Sequence, residues 1–345
     1  METMRAAFLT GHGGNEVLQL GERPKPVRGP GEVLVRMRAG GLNRVDLYMR
    51  NSGAGITHGL PMILGLDGAG VVEEAEDGSR FRPGDPVLTY PARTCGRCEF
   101  CLRGKDMLCT SVRYLGEHID GTLAEFVCVP EQNIFPKPAH LDWVEAASLA
   151  VAGLTAWRMI HTRSRVQPWE TVLVFGIGGS VSLAALQLLA ASGIRTIVTS
   201  RDPDKLEAAQ RLGAFAGLHT DGPRFIEELM ELTGGRGVDV VVENIGEAVW
   251  PLAMRALVRG GRIVTCGATT GDNPSADLRR LFIRQLQVLG STLGTRSEFS
   301  QLLTFVERTS LKPHTDSVFA FDDLHAAFDW LESGTQFGKI GIRFA

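Results

Sequence analysis

The chain is predicted to be α/β, with one domain built on a doubly wound parallel sheet and the other mostly β. Three observations predict this. Up to about residue 135 the text is broken by Gly and Pro into short β-branched runs. From Thr171 onward, near-continuous apolar runs alternate with amphipathic segments at helical spacing, the pattern of a parallel sheet covered on both faces. At 345 residues the chain is also longer than one ordinary core organises, so two domains are expected.

In chain order, strands are expected at EVLVRMRAG, GAGVVEE, GDPVLTY and LAEFVCVP, with a helical insert at NRVDLYMR, residues 43–50. On that insert Asp46 and Arg50 stand four apart and are expected to pair. Residues 142–161 carry apolar positions at helical spacing, with Asp142 as N-cap and Glu145 completing a capping box. Strand–helix pairs follow: TVLVFG with SLAALQLLAAS, RTIVTS with PDKLEAAQRLG, VDVVVENIG with AVWPLAMRALVRG, and GRIVTCG with a further helix, before LQVLGSTLG. The tail holds helices at SEFSQLLTFVERTS and DDLHAAFDWLESG and a last strand, KIGIRFA, expected to return to the first domain. The expected division is 1–150 with 296–345, and 151–295.

Hydrophobic residues make up 44%, charged residues 22%, and the net charge is -3, an ordinary globular composition with no basic excess to recruit nucleic acid. The N-terminus lacks a signal-peptide apolar core, and no run reaches the roughly 18 apolar residues of a membrane span. A cytoplasmic location is expected, where thiols stay reduced and clustered cysteines read as metal ligands.

In TVLVFGIGGSVSLAALQLL, residues 171–189, an apolar strand, a glycine-rich turn and a helix start follow one another. This is the setting in which a dinucleotide pyrophosphate rests on backbone N–H groups. Gly176, Gly178 and Gly179 are present, Val181 takes the third glycine position, and Ser180 and Ser182 flank it. At the end of the second strand, VTSRDPDK places Ser200, Arg201 and Lys205 where an NAD enzyme usually carries an acid. A hydroxyl and positive charge suit a 2'-phosphate, so NADPH is expected over NADH, with Asp202 arguing mildly the other way.

Cys95, Cys98, Cys101 and Cys109 are spaced C-x2-C-x2-C-x7-C, in a lobe of about residues 93–112 that can wrap one tetrahedral zinc. Four thiolates fill every coordination position, so this ion would order a loop and bind no substrate. Cys128 and Cys266 are expected on strands as small buried residues.

With a β domain, a four-cysteine lobe and a dinucleotide domain in that order, the chain resembles the medium-chain dehydrogenase/reductase superfamily over essentially its full length. The likeness recurs at LNRVDLYMR (42–50), PMILGLDGAGVV (61–72), GTLAEFV (121–127), GGRIVTCGATTG (260–271), LGSTLG (289–294) and GKI (338–340). The resemblance implies a GroES-like catalytic domain, a Rossmann domain and assembly as a homodimer or homotetramer. It also implies that Thr155 lies against the nicotinamide, and that Cys266, Gly267, Leu293 and Gly294 line the same pocket. In the zinc alcohol dehydrogenases of this family the catalytic ion is held by a cysteine, a histidine followed by glutamate, and a second cysteine. Here those places hold Asn43, Leu66 followed by Asp67, and Val151 or its neighbour, none of which replaces the lost ligands. Asp67 stands for the family's glutamate, with Arg343 as its candidate partner near the pyrophosphate.

In these features the chain is similar to the quinone oxidoreductase branch, which works without metal, although that branch usually lacks the cysteine lobe. Hydride addition to an enone or quinone gives a delocalised anion that one or two hydrogen-bond donors can support, and Asn43 is the first candidate donor. For the proton, Tyr48, His118 and water stay open. The leading expectation is an NADPH-dependent reductase of an activated C=C or quinone. One alternative is an alcohol/aldehyde dehydrogenase with a rearranged metal site; another is an NADPH-binding structural or sensing protein with little catalysis.

Overall fold

The structure, a computed structural model, describes residues 2–345. It divides into two compact units: the described residues up to Ala152 together with Thr295–Ala345, and Gly153–Gly294.

The first unit is mostly β. Thr3–Leu9 pairs with Leu18–Pro24 and with Met62–Ile63 in a three-stranded sheet. The seven-stranded sheet runs Ile134–Pro136, Pro86–Thr89, Asp67–Glu74, Glu32–Leu42, Lys339–Arg343, Thr315–Ala320, with Phe126–Pro130 also paired to Glu32–Leu42. Every pairing in it is antiparallel except that between the two C-terminal strands. The tail thus returns to the first unit because strand Lys339–Arg343 slots beside the central strand Glu32–Leu42, where Ile340 and Ile342 are fully buried. Helix Arg44–Ser52 begins directly after that central strand, with Asn43 at its N-cap. The capping box forms at Trp143–Ala147: Glu145 N–H donates to Asp142 Oδ1 at 2.7 Å, and Asp142 N–H to Glu145 Oε2 at 2.8 Å. Beyond it the helix widens into a π-turn at Leu149–Gly153. Val151 spends its N–H outside the helix, on Asp67, so the regular i to i−4 ladder is interrupted there.

The second unit carries a six-stranded parallel sheet ordered Ala216–His219, Arg195–Ser200, Thr171–Val174, Val238–Glu243, Leu257–Thr265, Gln287–Gly290. Chain order reverses between Thr171–Val174 and Val238–Glu243, and a ligand crevice is expected outside the C-terminal ends of strands at such a point. One expected helix is shorter than its sequence suggests: AVWPLAMRALVRG is helical only at Trp250–Ala256. Leu257 already pairs with Val238, and the register then shifts so that Arg262 meets Val240. Burial of Leu257 against the sheet outweighs its helix propensity. Among the described residues no helix is long and apolar enough to cross a membrane.

Candidate active site and metal centre

Three neighbouring strands of the first unit bring their ends to one place. Gly41 lies opposite Asp67 on one side and Gly341 on the other, and Leu42 lies opposite Ile340. Asn43, Asp67 and Lys339 meet there although 296 residues separate Asn43 from Lys339. Lys339 Nζ donates to Asn43 Oδ1 at 2.7 Å, and Asn43 Nδ2 donates to Asp67 Oδ2 at 3.0 Å. Lys339 also pairs with that carboxylate directly, and Val151 N–H donates to Asp67 Oδ1 at 2.9 Å. Asp67 is 0% exposed, Lys339 2% and Asn43 8%. An ammonium only donates and an ionised carboxylate only accepts, which fixes the Asn43 amide with its oxygen toward Lys339. Gly41 leaves the room: a Cβ there would stand 2.6 Å from Lys339 Cε.

This arrangement occupies the positions at which the resemblance puts a catalytic ion. Leu66 is buried and offers no donor atom, Val151 presents an N–H already bonded to Asp67, and the Asn43 carbonyl oxygen is taken by an ammonium. The donor set does not fit zinc. The partner of Asp67 is Lys339, and the expectation of Arg343 is corrected. Arg343 lies four residues further along the strand at its exposed end, opposite Ala39, and at about 3.3 Å per residue is out of reach. Lys339 went unnoticed as a site residue, although it lies in the GKI that carries part of the resemblance.

The expected Asp46–Arg50 pair is also corrected. Asp46 reaches back to accept the Asn43 N–H at 2.8 Å, since a helix N-terminus competes well for a nearby carboxylate. Arg50, 1% exposed, donates instead to Asn15 Oδ1 at 2.6 Å, Asn51 Oδ1 at 2.9 Å and Glu332 Oε2 at 2.9 Å. A guanidinium buried so deeply needs more acceptors than one carboxylate supplies.

Two further carboxyls lie beside the cluster. Burial pushes Asp46 up to about 7, against the pull of the Asn43 N–H and Lys339. Burial and then the charge of Asp46 push Glu117 up to about 7 as well. For Asp67 burial also raises the carboxyl, offset by Lys339, Asn43 and Val151 N–H. Folded Asp46 holds its proton to about 7 while the unfolded carboxyl releases it near its ordinary 3.8, so the folded state binds more protons between those values. Stability contributed by Asp46 is thus full below the lower value and is lost as pH rises through the upper one. Asp46→Asn, which keeps an oxygen for the Asn43 N–H, is expected to flatten this decline and to gain on the order of 3 kcal/mol over the parent at pH 8, read from urea midpoints at pH 5 and pH 8.

In the second unit the glycine loop forms the turn its sequence requires. Gly176 has φ +66°, and a Cβ there would come 2.8 Å from Ile245. Gly178 lies within the turn, Gly179 N–H donates to Gly176 O at 2.9 Å, and Gly179 is the N-cap of helix Ser180–Ala191, which no side chain caps. A helix start of this kind, at the sheet's reversal point, fits a pyrophosphate. Val181 is half-buried at the third glycine's place. Ser182, fully buried, makes the close helix–strand contact by donating to Phe175 O at 2.7 Å. At the second strand's end Ser200 Oγ accepts the Asp202 N–H at 3.0 Å, and the Asp202 carboxylate caps the next helix through Asp204 N–H at 2.9 Å. Arg201 is exposed and Lys205 half-buried. Thr155 is 6% exposed in helical turn Leu154–Trp157, and Leu293 holds φ +40° just before Gly294. Cys266 follows strand Leu257–Thr265 and is not within it, with Gly267 next; burial and then Glu243 push its thiol up to about 12. Cys128 is on a strand as expected but is half-buried, and its thiol donates to Glu32 Oε2 at 3.3 Å.

The four cysteines come together: the Sγ atoms of Cys95, Cys98, Cys101 and Cys109 all lie within 4.8 Å of one another. A tetrahedral zinc with Zn–S of about 2.3 Å needs sulfurs about 3.8 Å apart, and Cys95 and Cys101 stand at 3.9 Å. Backbone N–H groups point at the sulfurs, Cys98 N to Cys95 Sγ at 3.3 Å, Cys95 N to Cys109 Sγ at 3.3 Å and Ser111 N to Cys109 Sγ at 3.4 Å, and those on Cys95 favour its thiolate form.

The chain matches the alcohol dehydrogenase GroES-like domain over residues 29–139 and the zinc-binding dehydrogenase family over residues 180–308. It is 32% identical to an NAD-dependent alcohol dehydrogenase of Saccharolobus solfataricus, over 97% of this chain and 99% of that one. A crystal structure of an NAD-dependent alcohol dehydrogenase superposes with a TM-score of 0.95 at 40% identity, covering 99% of this chain and 100% of that one. A crotonyl-CoA carboxylase/reductase superposes with a TM-score of 0.90 at 29% identity, covering 99% of this chain and 88% of that one. The chain belongs to the medium-chain dehydrogenase/reductase superfamily. Within it, the protein is an alcohol dehydrogenase-like NAD(P)-dependent oxidoreductase with a four-cysteine lobe that fits zinc.

Proposed function

We propose that the enzyme transfers hydride from NADPH to an activated C=C or a quinone, a small-molecule acceptor, without a catalytic zinc. The observation that carries this reading is the ring of Asn43, Asp67, Lys339 and Val151 N–H, which uses the Asn43 oxygen and the Val151 N–H, while buried Leu66 at the remaining ligand position offers no donor atom. The reduced nicotinamide supplies the hydride when bound. Asn43 Nδ2 keeps a second N–H beyond the one given to Asp67, available to an acceptor carbonyl. Lys339, already paired with Asp67, holds the Asn43 oxygen and so fixes the amide with its N–H groups turned away from the ammonium. A ketone would concentrate the new charge on one alkoxide oxygen, whereas an enone or quinone spreads it, so this modest support is enough.

The names of the relatives favour a second reading, oxidation of alcohols or reduction of aldehydes at a rearranged metal site. Zinc content and turnover separate the two. Under the first, the protein carries one zinc per chain and reduces enones or quinones after mild chelation. Two zincs per chain, with alcohol oxidation lost on chelation, would establish the second.

For the cofactor, the exposed Arg201 and the absence of an acid at Ser200 support NADPH, while the relatives named above are NAD-dependent. Arg201→Ala is expected to lower kcat/KM with NADPH by about 10-fold or more and to leave NADH unaffected, because a charge-assisted contact to a 2'-phosphate is worth about 1.5–3 kcal/mol. A parent enzyme that prefers NADH would end this part of the reading.

A further inference from the structure

We propose that Glu117, whose carboxyl feels the charge of Asp46, is the acid that protonates the reduced substrate. This rests on the reduction proposed above and names the group that completes it.

The argument begins with the backbone. Residues 121–123 run along the segment that leads to Asp67: Gly121 N–H donates to Ile63 O at 2.9 Å, Leu123 N–H to Leu64 O at 2.9 Å and Thr122 N–H to Gly65 O at 3.0 Å. The turn before them is clamped to the same place, since Gly116 has φ +71° and a Cβ there would stand 2.6 Å from Gly65 N. Glu117 follows Gly116 and so sits beside Gly65, the residue before Leu66. From the other side helix Arg44–Ser52 presents Asp46, which accepts from Asn43 N–H and is also drawn by the Gly65 N–H. Both carboxyls are thereby gathered at Gly65, at the edge of the Asn43–Asp67–Lys339 ring.

Next comes the state of their hydrogen bonds. Asp46 is 0% exposed and its Oδ1 has no partner. Glu117 is 9% exposed, and burial and the Asp46 charge are what act on its carboxyl. An ionised carboxylate buried without donors is costly, and two of them side by side are costlier. The charged groups that act on them are Lys339 and Asp67 on their strands, while Arg113 and His58 act on His118, the next residue along the turn. Lys339 is the one cation bonded into the ring, and it already neutralises Asp67. A proton kept on one of the two near neutrality relieves the other, consistent with the raised values of both groups.

Neither Asn43 nor Lys339 can release a proton without cost to the ring. Asn43 is no acid. Lys339 could give up a proton only by weakening its bonds to Asn43 and Asp67. Asp46 is sealed, so Glu117, the member that keeps some access, is the outlet. After hydride reaches the β carbon, the enolate electron pair forms a C–H bond at the α carbon, or an O–H bond on a quinol oxygen. The Glu117 O–H bond breaks, a carboxylate remains, and water restores the proton.

The test follows reduction of 2-cyclohexen-1-one by NADPH across pH 5.5–9 in the parent, Glu117→Gln and Asp46→Asn, with NADPH binding measured by fluorescence. Glu117→Gln is expected to lower kcat by about 100-fold or more, to abolish the alkaline fall of the profile and to bind NADPH as the parent does. Asp46→Asn removes the neighbouring charge and is expected to move that fall to lower pH by about one unit, which a merely structural role would not do. Glu117→Asp is expected to restore part of the rate. If the parent turns over the enone and Glu117→Gln keeps both its kcat and its alkaline fall, the assignment of Glu117 is wrong while the reductase reading stands. A parent that reduces no enone or quinone removes both.

Discussion

Replacing Lys339 by methionine is expected to lower the folding free energy by about 3–5 kcal/mol, the cost of breaking a buried ion pair from one side. Methionine fills much the same space, so the loss is electrostatic: Asp67, 0% exposed, keeps the Asn43 and Val151 N–H groups but has no cation. Burial already raises this carboxyl, and without Lys339 it would rise further. A folded value above the unfolded one means that stability is present at low pH and lost as pH rises. The deficit should therefore be largest at pH 8 and shrink toward pH 5.5, as Asp67 takes up a proton. Adding Asp67→Asn should recover much of it. With Lys339 gone the Asn43 amide is free to turn its oxygen toward the new side-chain N–H, while the asparagine oxygen keeps the Val151 N–H. A double-mutant cycle from urea midpoints should give a coupling of at least about 2 kcal/mol between the two positions. Additive losses would mean that the two charges do not depend on each other, and the ring would lose its standing as a unit.

That ring also marks where reading the sequence stops. The strand–turn–helix at residues 171–189 and the cysteine spacing at residues 95–109 are local patterns, and each forms as its residues require. The capping box at Asp142 and Glu145 is local too. That Asn43 and Leu66 stand where the resemblance expects metal ligands was legible because it needed only residue identity at matched positions. What replaces the ligands was not. Lys339 comes into play only through the pairing of Lys339–Arg343 with Glu32–Leu42, and a register one residue away would have turned it from the site. Arg50 shows the same limit: spacing within the helix suggested Asp46, whereas its bonds to Asn15 and Glu332 come from segments distant in the chain. Glu117 carries no signal in the sequence, and its place follows from Gly116 packing on Gly65. Short-range chemistry could be read directly; long-range pairing of charges depended on strand register.

Cys109→Ser is expected to bring zinc from one ion per chain to nearly none and to unfold the lobe around residues 95–111, with the enzyme otherwise folded. The lobe has little else to hold it. From Cys95 to Cys109 only Asp106, Met107 and Cys109 are buried, while Leu102 is 75% exposed and Leu108 52%. A segment this poor in apolar contacts cannot offset the entropy of ordering some fifteen residues, so four thiolate–zinc bonds must do so. The lobe's other links are weak: Arg296 stands 3.8 Å from Asp106, and the Tyr90 hydroxyl donates to Met107 Sδ at 3.8 Å. Their loss would uncover the Tyr90–Phe299 packing of the same unit and lower Tm by roughly 5 °C or more. Hydrogen exchange should then become fast at residues 95–111 while strand Glu32–Leu42 stays protected. If zinc only orders this lobe, enone reduction by the variant, assayed well below its Tm, should persist within a few-fold of the parent. A complete loss of turnover in a variant whose strands remain protected would tie the ion to the chemistry, and the Asn43–Asp67–Lys339 ring could no longer be the whole of the proposed site.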